Sequence, residues 1–126
     1  MVVGLGLDVV EVARIRRILE GPAARAERFL ARCFTVGERA HCDATAERAT
    51  RYAARFAAKE ALMKAMGAPT GIRFVDAEVI RGGAAPTLAL AGVASRRAGE
   101  MGVSRVLLSI THDGGVAAAV VVLEGG

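Results

Sequence analysis

Residues 105–123 read RVLLSITHDGGVAAAVVVL, and this stretch decides the fold. Two apolar runs, Arg105 to Thr111 and Val116 to Leu123, flank His112-Asp113-Gly114-Gly115. Asp-Gly followed by Gly supplies the positive-φ positions of a tight hairpin turn, so the runs fold back as antiparallel strands. Towards the N-terminus, Gly92 to Met101 reads as a short helix stopped by Gly102. Ile72 to Arg81 and Thr87 to Leu90 read as two strands joined across Gly82-Gly83 and Pro86. The longest helical pattern spans about Glu47 to Met66, with Tyr52, Phe56, Met63 and Met66 on one stripe and Gly67 and Pro69 closing it. Asp43 to Thr50 is polar, a loop or a frayed helix start. Thr35-Val36-Gly37-Glu38 has the form of a capping box, with Phe34 placed to act as its hydrophobic staple. Ala23 to Cys33 and Val12 to Leu19 are amphipathic helices parted by Gly21-Pro22, and Val2 to Val10 is a buried strand carrying Gly4 and Gly6. Helices come early and antiparallel strands late. The expected class is α+β, an antiparallel sheet packed with one long helix and shorter N-terminal helices.

The chain has 126 residues, of which 53% are hydrophobic and 24% charged, with no internal repeat or linker. That is one domain, residues 1–126, and it excludes a disordered polyampholyte. Seventeen Lys+Arg against thirteen Asp+Glu give a net charge of +4, which suits acidic protein, nucleotide phosphate or nucleic acid as partner. A small basic nucleic-acid-binding module is therefore the alternative reading. It is disfavoured by the absence of Trp and the scarcity of Tyr and Phe, since bases stack on aromatic rings. No run approaches the ~18 apolar residues of a membrane span, and Asp8 interrupts the apolar N-terminus where a secretory signal would lie. Cys33 and Cys42 have no metal-ligand spacing around them and read as a reduced pair, so the expected location is cytoplasmic.

Three stretches carry candidate chemistry. Asp8 is a carboxylate within an apolar strand, either the cap of the helix that starts near Glu11 or a metal ligand on a rigid strand. Glu60 and Lys64 are spaced i,i+4, as are Arg55 and Lys59, and the first pair reads either as a surface ion pair or as part of a site. The small Ala57, Ala58 and Ala61 leave room for a ligand beside that helix. Two carboxylates with Lys and Arg nearby are what a Mg²⁺-bridged phosphate needs. His112, at a strand end, is either a plain turn residue or a phosphate donor or base. His41 sits on a short polar helix and reads as inert.

Together these stretches resemble the holo-acyl-carrier-protein synthase type of 4′-phosphopantetheinyl transferase. The resemblance rests on Gly4-Leu5-Gly6-Leu7-Asp8-Val9-Val10-Glu11-Val12 with Arg14, Phe34-Thr35 with Glu38, Arg55-Phe56-Ala57-Ala58-Lys59-Glu60-Ala61 with Lys64-Ala65, Phe74 to Val79, and Ser109-Ile110-Thr111-His112. It covers nearly the whole chain. It implies Mg²⁺-dependent transfer of the phosphopantetheine arm of coenzyme A to a serine of an apo-acyl carrier protein, with release of adenosine 3′,5′-bisphosphate, in fatty-acid or polyketide biosynthesis. Asp8 and Glu60 would bind the metal, and Lys64 and His112 would contact phosphates, with Arg55 and Pro86 as further coenzyme A contacts. The base for the serine proton is open among Glu60, a metal-bound water and His112. The acidic carrier would dock on the helix after the first strand, with Arg14 at the motif position and Arg16, Arg17, Arg25 and Arg28 as candidates. The resemblance further implies a homotrimer with active sites shared between subunits. Where the family often has a basic residue before Pro86, this chain has Ala85, and Phe74 stands where Trp is frequent.

Overall fold

The C-terminal hairpin forms around the two-residue turn Gly114-Gly115, whose φ angles of 59° and 84° only glycine adopts without cost. In the computed structural model, which describes residues 1–126, the elements run β1 (Val2–Glu11), α1 (Val12–Leu19), α2 (Ala23–Cys33), α3 (Val36–Asp43) and α4 (Arg48–Ala65). A 3-10 turn (Phe74–Asp76), β2 (Ala77–Ile80), β3 (Thr87–Leu90), α5 (Gly92–Glu100), β4 (Val103–Asp113) and β5 (Val116–Gly125) complete the chain. The α+β class holds, and its antiparallel strands divide into two sheets: β1-β5-β4, and the separate pair β2-β3. The expected strand from Ile72 is shorter, because Phe74–Asp76 winds into a 3-10 turn fixed by Asp76. That carboxylate accepts from the Arg73 amide at 3.0 Å and from the Arg73 guanidinium.

Helix α4 is the centre of the core. Tyr52, Ala53, Ala57, Ala58, Ala61 and Leu62 are wholly buried, and the helix lies across the inner face of the three-stranded sheet. The glycines of β1 permit this approach. A Cβ on Gly6 would fall on the Ala61 carbonyl oxygen, and one on Gly4 on the Ala65 carbonyl oxygen. Ala61 and Ala65 thus face β1, and Ala57, Ala58 and Ala61 are all wholly buried, so they leave no room for the ligand that the sequence suggested. Phe34 is likewise no staple. Its ring packs on Tyr52 at 4.7 Å and on Phe29 at 5.7 Å, whereas the staple position of α3 is taken by Arg39. The capping box does form: the Glu38 amide donates to Thr35 Oγ1 and the Thr35 amide to Glu38 Oε1.

Glu38 also does something its capping role does not announce. Both Glu38 and Lys59 are buried, and Lys59 Nζ lies 2.7 Å from Glu38 Oε1. The ammonium also donates to the carbonyls of Phe74 at 3.0 Å and Ala77 at 2.5 Å, while Glu38 Oε2 accepts from the Val79 amide at 2.8 Å. Every polar atom of the pair is thereby used to tie α3, α4, the 3-10 turn and β2 together. A buried charge pair is tolerable only when satisfied in this way.

The outer face of the three-stranded sheet stays uncovered. Leu5, Leu7 and Val9 are each more than half exposed; they lie opposite Val122, Val120 and Ala118 of β5, and Leu107 of β4 extends the same apolar surface.

Candidate active site

Asp8 does not cap α1. The cap position is Glu11, which makes no side-chain capping bond, and the first amide of α1, Val12, donates instead to the Gly115 carbonyl at 2.9 Å. Asp8 points from the inner face of β1 towards α4, where Lys64 Nζ donates to its Oδ1 at 2.9 Å and to the Leu7 carbonyl at 3.1 Å. Lys64 thus pairs with an acid 56 residues away and makes no ion pair with Glu60. Glu60, one helical turn earlier, completes the group. Partial burial and then the Asp8 charge raise its carboxyl above the usual range, while Lys64 and Arg14 pull in the opposite direction. Arg14 is held near this edge by stacking over the Phe56 ring, with its guanidinium carbon 5.9 Å from the centroid.

This edge of the sheet has a donor set suited to a hard cation. Asp8 and Glu60 supply carboxylate oxygens, and no third Asp, Glu, His or Cys closes a cage around them. Mg²⁺ fits such a set, because it commonly takes one or two carboxylates and fills its other positions with water and phosphate oxygens.

Arg55 and His112 belong to a different place. Strand β5 lies between β1 and β4: Asp8 is opposite Ala119, which is opposite Ile110 of β4. Two strand spacings, about 10 Å, therefore separate the Asp8 edge from the β4 edge. At the β4 edge a cavity of about 260 Å³ is lined by Thr50, Arg51, Arg55, Arg81, Thr111 and His112, with no carboxylate. The Nε atoms of Arg51 and Arg55 are buried there without a partner. An adjoining cavity of about 210 Å³ shares Arg55 and Arg81 and adds His41. His41 is held below its ordinary pKa by partial desolvation and by the charges of Arg55, Arg81 and Arg51. Two unpartnered buried Nε donors in a cavity lined by three arginines and no acid suit an anion, while Glu78 lines the adjoining cavity.

Sequence reasoning missed Arg51 and Arg81. Arg51 was legible as i−4 from Arg55, whereas Arg81 comes just after β2 and had no local signal. Pro86 is half-buried just before β3 and lines none of these cavities.

The docking candidates also separate. Arg25 and Arg28 line a groove of about 920 Å³ between α1 and α2 with Ile18, Phe29 and Arg32. Arg32 was legible from the 25-28-32 spacing on one helix face. Arg16 instead lines a cavity beside the Gly114-Gly115 turn, and Arg17 is exposed on α1. The aromatic rings pack mainly on one another, Phe56 stacking on Phe74 at 5.2 Å, and so offer no platform for bases. No helix is long and apolar enough to cross a membrane, and Cys33 and Cys42 are free and buried.

Known proteins with similar sequence and fold agree on one family. The model of the 4′-phosphopantetheinyl transferase superfamily matches residues 4–121. A holo-[acyl-carrier-protein] synthase of an Anaeromyxobacter species is 70% identical over 125 residues, 99% of this chain and 97% of the relative. Among solved structures, the holo-ACP-synthase of Plasmodium yoelii superposes with a TM-score of 0.85 at 29% identity, covering 100% of this chain and 97% of that one. The Helicobacter pylori holo-[acyl-carrier-protein] synthase in complex with coenzyme A gives 0.80 at 28% identity, covering 95% and 99%.

Proposed function

The chain belongs to the holo-[acyl-carrier-protein] synthase family of the 4′-phosphopantetheinyl transferase superfamily, and from that premise we propose that it moves the 4′-phosphopantetheine of coenzyme A onto a serine of an apo-acyl carrier protein. The observation that carries the reading is the meeting of Asp8, Glu60 and Lys64 at one sheet edge. In the transfer, the serine oxygen bonds to the phosphorus bearing the pantetheine, a P–O bond of the diphosphate breaks, and adenosine 3′,5′-bisphosphate leaves. Such a reaction asks a protein chiefly for positioning and charge neutralisation. Asp8 and Glu60 would hold Mg²⁺, which supplies neutralisation and in-line orientation of the diphosphate. Lys64 adds a further positive charge on the phosphates. Within one chain only Glu60 stands beside Asp8 as an acceptor for the serine proton; His112 is across the sheet.

The cationic cavity of Arg51, Arg55, Arg81 and His112 would take another phosphate of coenzyme A. It lies on the opposite edge from Asp8, so the reading calls for a neighbouring copy whose β4 edge meets this β1 edge. The apolar face of Leu5, Leu7 and Val9 is the surface such copies would bury, and a homotrimer is the assembly we propose. The acidic carrier would lie along the groove of Arg25, Arg28 and Arg32, with Arg14, stacked over Phe56, as a further contact beside the site. Residues 1–126 act as a single domain, and the two free thiols suit the cytoplasm.

The test is direct. The protein is incubated with Mg²⁺, coenzyme A and a panel of fatty-acid and polyketide apo carriers, and the carriers are weighed by mass spectrometry. The reading predicts gain of one phosphopantetheine that depends on metal and is lost with Asp8→Asn. A panel left unmodified refutes it.

A further inference from the structure

The Asp8 carboxylate already carries a cation. Lys64 Nζ donates to its Oδ1 at 2.9 Å and to the Leu7 carbonyl at 3.1 Å. The Asp8 side chain is 14% exposed and that of Lys64 54%, so the lysine shields the acid from solvent. Exposed ion pairs held only by each other are weak. Here the second acceptor is a carbonyl of a β-strand, which keeps the ammonium beside Asp8. Glu60 lies one helical turn before Lys64 and within the field of both groups, and no third acid, His or Cys joins them.

We infer that Lys64 is a placeholder for the divalent ion, holding Asp8 in the substrate-free chain and releasing it only when ion and diphosphate arrive together. The inference rests on the reading that Asp8 and Glu60 hold that ion. Lys64 occupies one oxygen of Asp8, and its charge repels a divalent ion at the other. An ion arriving alone therefore binds against that repulsion, and where it takes Oδ1 as well it leaves Lys64 with no anion in place of Asp8. The diphosphate of coenzyme A supplies that anion. Ion and substrate then each favour the other's binding, by the same factor in both directions, since such coupling is reciprocal. No covalent bond changes in this exchange; the ammonium moves from carboxylate to phosphate.

The consequence runs opposite to that of an ordinary supporting residue. Loss of a residue that merely props up the site weakens metal binding. Loss of a competing placeholder strengthens it. The experiment counts bound Mn²⁺ by electron paramagnetic resonance, with and without coenzyme A, in wild type, Lys64→Met, Lys64→Arg and Asp8→Asn; circular dichroism checks the fold of each. Coupling factors of this kind run from about 5-fold to 150-fold. Lys64→Met is expected to bind Mn²⁺ about tenfold more tightly than wild type without coenzyme A, and to gain less from its addition. Lys64→Arg, which keeps the charge, is expected to stay near the weak wild-type value. Equal or weaker Mn²⁺ binding by Lys64→Met overturns the inference while leaving the metal reading standing. Mn²⁺ binding by the wild type that survives Asp8→Asn, or that never occurs, overturns the metal reading and the inference with it.

Discussion

Replacing Gly6 by Ala adds one methyl group at the point where strand and helix touch, and the outcome can be worked from the contacts. The new Cβ would fall on the Ala61 carbonyl oxygen, with the Ala61 carbonyl carbon and the Ala65 amide nitrogen each at 2.8 Å. Ordinary contact is 3.4–4 Å, so β1 and α4 must part until those atoms stand off. The obstructing atoms are backbone and cannot rotate away. Overpacking of this kind costs about 1–3 kcal/mol where side chains can yield, and a backbone obstacle puts Gly6→Ala at or above the top of that range. At roughly 4 °C per kcal/mol for a chain of this size, Tm falls by roughly 10 °C or more. The sign is diagnostic, because Gly→Ala at an unhindered position stabilises by about 0.4–1 kcal/mol through the unfolded chain. Gly82, which has no atom within 4 Å of its would-be Cβ and no positive φ, is the matched control. The functional loss should exceed the loss of stability. Asp8 lies two residues from Gly6 on β1, and Glu60 precedes Ala61 on α4. The enforced separation therefore pulls the two carboxylates apart, and a misplacement near 1 Å in a reacting site costs about 100-fold in rate. Thermal unfolding by circular dichroism and carrier labelling at 10–20 °C below the variant's own Tm separate the two effects. A Gly6→Ala protein with wild-type Tm and wild-type labelling would refute the argument.

Three other perturbations address separate parts of the account. Lys59→Met leaves Glu38 charged and buried without its partner, and should cost about 3–5 kcal/mol in urea unfolding, much of it recovered when Glu38→Leu is added; a single-variant cost below about 1 kcal/mol would show the pair is not sealed. His41 is held below its ordinary pKa first by desolvation and then by Arg55, Arg81 and Arg51, so unfolded chains take up its proton first and acidification through that range removes stability. Adenosine 3′,5′-bisphosphate in the neighbouring cavity should move the His41 titration upward by neutralising those arginines, as read by proton NMR; an unmoved titration argues that no phosphate enters. If the two half-sites come from different copies, as proposed, co-expression of Asp8→Asn and His112→Ala chains should restore activity to about one site in four. No restoration would mean that one chain makes the whole site.

How much of this was legible in the sequence depended on how local the cause was. The Asp-Gly-Gly turn, the capping box of Thr35 and Glu38 and the long helix are set by neighbouring residues, and they appear where spacing puts them. The company of Asp8, Glu60 and Lys64 was legible only through the family resemblance, since spacing equally allowed a cap and a surface ion pair. Other features were hidden because their causes are tertiary. Arg55 and Lys59 look like a solvated i,i+4 pair, yet both are buried, because α4 is enclosed on nearly every side. Ala57, Ala58 and Ala61 look like space for a ligand, yet all three are wholly buried, Ala61 against Gly6 of β1. The separation of Asp8 from His112 follows from the strand order β1-β5-β4, which no pattern of apolar residues states. Arg81 reaches the Arg55 cavity from the residue after β2, a strand held by Lys59 at Ala77 and by Glu38 at Val79.

The claim on which the mechanism turns is that Asp8 and Glu60 share one divalent ion. Crystals grown with Mn²⁺ and coenzyme A test it by anomalous scattering. The account predicts a peak bonded to a carboxylate oxygen of each residue at about 2.1 Å, with the diphosphate completing its shell and Lys64 moved from Asp8 to phosphate. A peak bound by only one of the two acids, or lying elsewhere, would contradict it.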